Sequence, residues 1–498
     1  MILSKTNFIT CLDCSKNAWL KIHLPEIYKQ FPLSPFELNI IDTGNLIDQM
    51  ARDLFPGGVI VESRDGTGYT SKLMEQKTPI IYQPVFASDK YITASDIFVW
   101  NPDTNLYDLY EVKASTSTED GGGRKTDNYL IDMAFQKVVL DDLGLTIGTM
   151  NLIRLNKEYI RQGPIVLNQL LVIENLTAEV NAIVPDIRHK MEAAHEFLSN
   201  ETEPPGYCDC ITKGKNSHCT TSKYSNAELP DYSVHSIARI NRKKLAELVD
   251  RNILDIQAVP ADFELSDNQR RQVDTAQSGN VYINSKGVSE FLKTLQYPLA
   301  FLDYETYPSA IPKFDGYRPY QQIPFQFSLH VIETPESDCV HYDFIYTEQE
   351  CPDEHFAAAL QQHLPKSGSV IVWNQMFEKG INEQIGSRLQ PFSAFMQAVN
   401  YRVVDLMVPF SGKTLVYDHP EFKGSASIKY VLPALVPHLS YKTMHIKEGG
   451  TASDTWNRIV SGEYSKEDKS TEIQALREYC HLDTLAMVEI WGVLNTHN

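Results

Sequence analysis

Apolar and polar positions along the chain follow a helical spacing in some stretches and a strand spacing in others. Residues 1 to about 55 have helical spacing, which Pro56-Gly57-Gly58 ends. The other predicted segments of the first half are strands at 79–87, 91–100, 107–115, 146–154 and 166–173, and helices at 127–143 and 176–198. This mixture predicts an α/β protein.

The second half repeats the mixture. Its predicted strands are 298–306, 324–331, 340–346 and 369–373, and its predicted helices are 354–363, a helix starting near 374, and 473–494. A chain of 498 residues is too long for one ordinary core. We therefore predict a domain over 1–222, a helical connector over 223–293 and a second domain over 294–498. The connector is similar to a helix-hairpin-helix element, although a packing bridge is favoured.

Composition narrows the class of protein. The 64 acidic and 45 basic residues give a formal charge of -19, which argues against a protein that coats nucleic acid indiscriminately. That charge does not exclude an enzyme that acts on nucleic acid through a local basic groove. No apolar run is long enough to span a bilayer, and the N-terminus lacks a basic region followed by an apolar core. We expect a cytoplasmic protein without a membrane partner.

Two carboxylates follow the apolar run at 298–302. Asp303 and Glu305 point to one face of the strand, because side chains repeat every second residue. Like charges repel, so such a pair favours half of a divalent-metal site, and a solvated strand end is the alternative. Aromatic residues around Arg318 in the following segment suit either a stacked single strand or a buried loop.

A second acidic set lies in the first half. Glu111 and Lys113 share a strand face, and an antiparallel pairing brings Asp96 opposite them. Asp96 and Glu111 would hold Mg²⁺ by oxygen, and Lys113 would position water or stabilise charge on phosphorus. A surface strand pair is the plain alternative.

The order of a helix, a hairpin with Asp96, the Glu-X-Lys strand and a helix with Gln136 resembles the PD-(D/E)XK nuclease superfamily, and within it the RecB-type exonucleases. The resemblance implies that Gln136 belongs to the active site. It also implies a metal ligand on an upstream helix, where Asp48 stands in place of the usual His or Glu.

Cysteines precede and follow this region. Iron-sulfur RecB-type exonucleases have one cysteine before the core and three after it, and this chain resembles them. The resemblance implies a [4Fe-4S] cluster, with zinc as the alternative because four thiolates also suit that ion. The implied ligands are Cys14, Cys208, Cys210 and Cys219, with Cys11 as a spare candidate.

The second half has Asp-X-Glu on a first strand, Asn-X-X-X-acid after a later strand and Tyr-X-X-X-Asp on the last helix. This order resembles the DnaQ-like, or DEDD, 3′-5′ exonucleases of the ribonuclease H-like fold. The resemblance implies four metal ligands and a tyrosine that orients the attacking water. These residues are Asp303, Glu305, Glu378 (where that family usually has aspartate), Asp483 and Tyr479. Asp405 is expected first to support or cap a neighbouring element and second to be a metal ligand. Lys429 is expected to be solvated or to contact phosphate.

The two halves together resemble a bacterial family of unknown function that joins an iron-sulfur RecB-like region to this C-terminal domain. The leading hypothesis is a nuclease with two active sites that use Mg²⁺ or Mn²⁺. It would hydrolyse phosphodiesters in single strands or exposed ends of nucleic acid, with DNA favoured over RNA. The alternatives are a nucleic-acid-binding scaffold with one or both sites inactive and, with little support, an iron-sulfur redox protein.

Overall fold

The computed structural model describes residues 1–62, 66–116 and 124–497 and forms two compact units. Unit 1 comprises Met1–Ile211, Ser217–Glu228 and Ala310–Pro319, and unit 2 comprises Thr212–Asn216, Leu229–Ser309 and Tyr320–Asn498. Both units combine helices with β-sheets, and the larger sheet of each is mixed, which confirms the α/β prediction. No helix in the described ranges has the length and apolarity needed to cross a lipid bilayer.

Unit 1 is built from two sheets and the helices around them. Its strands are β1 (Leu3–Ser4), β2 (Val59–Ile60), β3 (Ile80–Tyr82), β4 (Val85–Ala87), β5 (Tyr91–Ala94), β6 (Ile97–Asn101), β7 (Leu106–Lys113), β8 (Ile147–Leu155) and β9 (Leu171–Asn175). Its helices are α1 (Lys5–Asp13), α2 (Ser15–His23), α3 (Pro25–Tyr28), α4 (Pro35–Asp53), α5 (Thr67–Glu75), α6 (Arg124–Asp142), α7 (Leu167–Leu170), α8 (Thr177–Leu198) and α9 (Ser222–Ser225). The larger sheet has the order β2-β3-β6-β7-β8-β9, and the smaller one β1-β5-β4.

The centre of the larger sheet pairs β7 with an antiparallel neighbour, β6, and with a parallel neighbour, β8. A parallel pair needs a crossover, and α6 lies between β7 and β8 in the chain. The buried side of α6 carries Met133, Phe135 and Val138 into the main core of the unit. Packing therefore holds this helix close to β7.

The predicted strands 79–87 and 91–100 each divide into two strands that lie in different sheets. Pro84 has no N–H to donate, and Gln83 has a φ of +52°, so the first strand breaks there. On the partner strand, the Ser95 N–H donates to the Pro84 carbonyl at 3.1 Å, and the Gln83 N–H donates to the Asp96 carbonyl at 2.9 Å. The two strands therefore bend side by side, at residues that are hydrogen-bonded to each other, and Asp96 lies in the second bend.

The strand predicted from residue 166 begins instead at Leu171. The Val166 carbonyl accepts the N–H groups of Gln169 and Leu170 at 3.0 and 2.9 Å, which closes one helical turn, α7, before β9.

Unit 2 is built around a five-stranded sheet. Its strands are β10 (Tyr282–Ile283), β11 (Leu299–Pro308), β12 (Gln322–Ile332), β13 (Val340–Ile345), β14 (Ser369–Val372), β15 (Val403–Asp405) and β16 (Tyr417–Asp418). Its helices are α10 (Arg242–Asp250), α11 (Asp267–Ser278), α12 (Ser285–Leu292), α13 (Asp353–His363), α14 (Gln375–Arg388), α15 (Gln390–Arg402), α16 (Ile428–Leu435), α17 (Gly449–Val460) and α18 (Lys466–Asn495).

The large sheet of unit 2 has the order β13-β12-β11-β14-β15. Strand β12 is antiparallel to β11 and β13, whereas β14 is parallel to β11 and to β15. One face of β12 puts Phe327, Leu329 and Val331 into the apolar core. The other face is polar, and there the Gln326 amide donates to the Leu476 carbonyl of α18 at 2.9 Å.

The predicted connector has its own apolar cluster, in which Leu245 and Leu248 of α10 pack with Val273 of α11. The residues of this cluster fall in unit 2. The guanidinium of Arg270 donates to the Phe263 carbonyl at 2.6 Å. The guanidinium of Arg271 lies 5.0 Å from the centre of the Tyr282 ring.

The aromatic segment before β12 is partly buried. Tyr317 is 1% exposed, and Arg318 forms an ion pair of 2.7 Å with Glu158 inside unit 1. The buried-loop interpretation therefore holds for Tyr317.

Candidate functional sites

The first acidic cluster lies between β7 and α6 of unit 1. The Lys113 ammonium is 2.6 Å from Glu111 Oε1 and 2.7 Å from Asp132 Oδ2. The Gln136 amide donates to Glu111 Oε2 at 2.7 Å and to Asp132 Oδ1 at 3.1 Å. Asp132 and Gln136 share a face of α6, because they are four residues apart. The structure thus brings Glu111, Lys113 and Gln136 together, as the sequence pattern anticipates.

Lys5 completes this cluster from more than 100 residues away. Its ammonium lies 2.7 Å from Asp132 Oδ1 and 3.2 Å from Glu111 Oε1. Burial would lower the pKa of Lys113 and of Lys5, but the two carboxylates outweigh burial and hold both pKa values above the usual range. Burial would likewise raise the pKa of Asp132, and the lysines hold it below its usual range. No sequence pattern links Lys5 to this strand.

Asp96 meets the cluster from the bend between β5 and β6. Its Oδ2 accepts the Val112 N–H at 2.7 Å, one residue from Glu111. Burial and the charge of Glu111 raise the pKa of Asp96 to about 7, although the two lysines act in the opposite direction. A carboxyl group that is held close to another acid is suited to bind a cation, because the cation removes the repulsion between the two charges.

Asp48 lies on α4, where it forms an ion pair with Arg52. Its Oδ1 is buried and has no hydrogen-bond partner among the described residues. Burial raises the pKa of Asp48, the paired Arg52 opposes that effect, and the charge of Glu111 adds to it. The unpartnered oxygen is the feature of this cluster that best fits a divalent cation, which prefers carboxylate oxygen.

The second acidic cluster lies on β11 of unit 2. Ligand atoms of Asp303, Glu305 and Cys480 lie within 4.8 Å of one another. Burial raises the pKa of Asp303 well above its usual range, and the charges of Asp483, Glu305 and Glu378 act in the same direction. Burial and Asp483 do the same for Glu305. The two strand carboxylates therefore share one buried pocket of negative potential.

Helix α18 supplies Tyr479 and Asp483, which are one turn apart. The Tyr441 hydroxyl, to which the sequence patterns assign no role, donates to Asp483 Oδ1 at 2.6 Å. Burial raises the pKa of Asp483 to about 7, while this hydrogen bond and the charge of Lys429 lower it. The Tyr441 and Tyr479 ring centres are 6.0 Å apart.

Lys429 is half-buried and not freely solvated. Its ammonium lies 5.8 Å from the Tyr441 ring centre and 5.7 Å from that of Tyr479, and it donates to the Lys447 carbonyl at 2.7 Å. Its positive charge lowers the pKa of Glu305 against the effect of burial. Lys429 is thus a fixed cation beside the acids.

Glu378 comes from the first turn of α14. Asn374 has a φ of +80° just before the helix, and the carboxylate of Asp405 accepts the N–H groups of Asn374 and Gln375, each at 3.1 Å. Asp405 thus caps the helix that carries Glu378. Glu378 is 2% exposed, and its Oε2 has no hydrogen-bond partner among the described residues. Burial raises its pKa to about 8.

These acids fit divalent cations. Buried like charges raise one another's pKa, and a bound cation removes that repulsion. The buried, unpartnered oxygen of Glu378 is a further point at which an ion would satisfy the site. Cys480 adds a thiol whose sulfur lies 3.8 Å from Asp303 Oδ2; neither the spacing nor the resemblance identifies it beforehand.

The cysteine cluster joins two distant segments of unit 1. Ligand atoms of Cys14, Cys208, Cys210 and Cys219 lie within 4.8 Å of one another and could hold a metal ion. Hydrogen bonds from the other three thiols lower the pKa of Cys14. Cys11 is outside this group.

Hydrogen bonds position these thiols. The Lys16 ammonium donates to the Gly206 carbonyl at 2.7 Å, and Asn17 Oδ1 accepts the Thr221 N–H and hydroxyl at 3.2 and 2.8 Å. The Asn226 amide donates to Cys208 Sγ at 3.1 Å. Cys208 Sγ lies 2.9 Å from Cys210 Sγ and 4.0 Å from Cys219 Sγ. Sulfurs that share one tetrahedral zinc lie about 3.8 Å apart, so this spacing is closer to that of a single ion than to that of a larger cluster.

Part of unit 2 is similar to a domain of unknown function, DUF2779, which matches residues 300–427. That match contains Asp303, Glu305, Glu378 and Asp405 but ends before α18. The chain is also similar to an uncharacterized protein, UU173, of Ureaplasma parvum serovar 3, with 27% identity over 237 residues. The similarity covers 43% of this chain and only 33% of that relative. No solved structure matches the chain.

Proposed function

We propose that the protein is a metal-dependent nuclease with two active sites, one RecB-like in unit 1 and one DnaQ-like in unit 2. The proposed substrate is nucleic acid, with DNA favoured over RNA, and the reaction is hydrolysis of phosphodiester bonds. The observation that carries the proposal is the second acidic cluster. There burial raises the pKa of Asp303, and the charges of three other acids, Asp483, Glu305 and Glu378, raise it further.

The strand arrangement supports a ribonuclease H-like fold for unit 2. In the order β13-β12-β11-β14-β15, β12 alone runs against the others, and Asp303 and Glu305 lie on the central strand. In unit 1, the parallel β7–β8 pair with α6 between them supports a PD-(D/E)XK-like core.

In unit 2, Mg²⁺ or Mn²⁺ held by Asp303, Glu305, Glu378 and Asp483 would stabilise both the entering and the leaving oxygen of a phosphodiester. Burial and the charge of Asp483 hold the pKa values of Tyr441 and Tyr479 well above their usual range, so both phenols stay protonated. Tyr441 then orients Asp483 through its 2.6 Å hydrogen bond. Tyr479 would orient the attacking water.

In unit 1, Asp96, Glu111 and Asp48 would hold the divalent ion. Lys113 stays charged because of its two carboxylate neighbours, so it would stabilise negative charge on the phosphate. Gln136 holds Glu111 in place through a 2.7 Å hydrogen bond.

For the cysteine cluster, the resemblance favours [4Fe-4S], and the sulfur spacing favours zinc. In either form the group would join α2 to residues 206–226 and so stabilise unit 1. An absorbance scan and metal analysis of anaerobically purified protein distinguish the two, since zinc-loaded protein is colourless and contains no iron.

A scaffold with an inactive first site is the second candidate. It is favoured by the closed ion-pair network of unit 1, in which both oxygens of Glu111 already have partners from Lys5, Lys113 and Gln136. Such a network pairs the charge of Glu111 without a metal cation.

End-labelled single-stranded and duplex DNA and RNA, incubated with Mg²⁺ or Mn²⁺, test the proposal. Lys113→Ala should remove the activity of the unit 1 site, and Asp303→Ala that of the unit 2 site. The control variants Lys157→Ala and Asp338→Ala, which change exposed residues, should retain both activities. If neither active-site substitution reduced cleavage, the two-site nuclease would be refuted. Loss with Asp303→Ala alone would support the scaffold role of unit 1.

A further inference from the structure

A cluster of three histidines lies in unit 2, where α18 covers the polar face of the sheet. His330 of β12 and His341 of β13 are direct cross-strand partners, and His481 of α18 lies over them. The ring centres are 4.4 Å apart for His330 and His341, 4.9 Å for His330 and His481, and 4.4 Å for His341 and His481. Each ring offers one nitrogen such that all three nitrogens lie within 4.8 Å of one another.

Two hydroxyl groups hold two of these rings. Ser328 Oγ lies 2.9 Å from His341 Nε2, and Thr484 Oγ1 lies 2.8 Å from His330 Nδ1. The two hydroxyls are 2.6 Å from each other, and Thr484 also donates to the His481 carbonyl at 3.1 Å. Four contacts therefore share only two hydroxyl protons.

The direction of each hydrogen bond follows from that count. A carbonyl can only accept, so the proton of Thr484 goes to His481. The proton between the two hydroxyls must then come from Ser328. Neither hydroxyl has a proton left for a ring, so His341 donates from Nε2 and His330 donates from Nδ1.

This pattern decides which ring nitrogens carry lone pairs. His330 is buried, and burial disfavours the charged form of its ring. A neutral ring that donates from one nitrogen presents a lone pair on the other. His330 thus presents Nε2, and His341 presents Nδ1. Metal-binding histidines are typically held in this way, with the second nitrogen donating to a fixed oxygen.

We propose that His330, His341 and His481 form a binding site for a divalent transition metal of the zinc class. Three imidazoles and one water complete a tetrahedral zinc site, in which nitrogens lie about 3.3 Å apart, so the rings would move inward from a spacing of up to 4.8 Å. The metal would fasten α18 to β12 and β13. His481 lies two residues before Asp483, so metal binding would also fix the position of that acid.

Zinc titration of the purified 498-residue protein tests this site. The comparison is wild type, His341→Ala and His481→Ala, with His189→Ala as the control because the His189 side chain is 83% exposed. Wild type and the control should bind one more equivalent of Zn²⁺ than the two cluster variants. Asp303→Asn should keep that equivalent, which separates this site from the acidic cluster.

Two further measurements address folding and the thiol cluster. Ser328→Ala keeps all three ligands but removes one supporting hydroxyl, so zinc affinity should fall by about 10- to 100-fold. Cobalt bound at this site should show weak visible bands that disappear in His341→Ala, whereas cobalt at the cysteines gives strong near-ultraviolet bands. Equal zinc stoichiometry in wild type and both cluster variants, with each variant folded by circular dichroism, would overturn the proposal.

Discussion

Replacing Glu378 by glutamine should stabilise the metal-free protein in a manner that depends on pH. Glu378 is 2% exposed, and one of its oxygens has no partner among the described residues. Burial raises its pKa from 4.5 to about 8; its own backbone N–H opposes the shift, and the charge of Asp405 adds to it. Glutamine has a similar shape and does not titrate.

The size of the effect follows from linkage. A carboxyl group with a raised folded pKa contributes stability that is complete below pH 4.5 and is lost as the pH rises through 8. Each pH unit between 4.5 and 8 lowers the free energy of unfolding by about 1.4 kcal/mol. The stability lost is therefore about 3 kcal/mol at pH 7 and about 5 kcal/mol at pH 9. An unpartnered glutamine amide costs about 1–3 kcal/mol, but that cost is the same at every pH. The change with pH therefore isolates the carboxyl group.

Urea denaturation in EDTA at pH 4, 7 and 9 measures this change. The free energy of unfolding of Glu378→Gln minus that of wild type should rise by about 3 kcal/mol from pH 4 to pH 7. Glu383→Gln is the matched control, because Glu383 is exposed on the same helix. Mg²⁺ should then stabilise wild type more than Glu378→Gln. A difference in unfolding free energy that stays constant across the pH range would refute the assignment of a buried carboxyl group with a raised pKa.

Three further outcomes are expected. Asp405→Ala should destabilise unit 2 by about 1 kcal/mol through loss of the α14 cap and should raise the Mg²⁺ concentration needed for cleavage; unchanged thermal stability would contradict the capping role. Cys208→Ser should lower the bound iron or zinc measured by mass spectrometry, and full retention of metal would exclude this thiol as a ligand. Burial raises the pKa of Asp418 from 3.8 to about 7, so Asp418→Asn should gain about 4 kcal/mol relative to wild type between pH 4 and pH 8. An unfolding difference for Asp418→Asn that does not change with pH would contradict that burial.

The sequence by itself determined features that depend on neighbours along one element. The two-residue period of β11 anticipated that Asp303 and Glu305 would share a face, and the helical period anticipated that Tyr479 and Asp483 would do so. The α/β class also followed from local periodicity. Local periodicity did not predict where the strand at 79–87 divides. The missing N–H of Pro84 and the positive φ of Gln83 split this apolar stretch between two sheets.

The resemblances anticipated some distant groupings, such as the four cysteines, but the tertiary structure alone decided which further residues join each site. Lys5 and Glu111 are more than 100 residues apart in the sequence but form an ion pair. The hydrogen bond from Tyr441 to Asp483 joins the short 3₁₀ helix Tyr441–Thr443 to α18. The direction of each pKa shift also depends on these contacts, since burial and neighbouring charge exist only after folding. Sequence period describes one helix or strand at a time, whereas the packing of elements determines the charges and hydrogen bonds of each site.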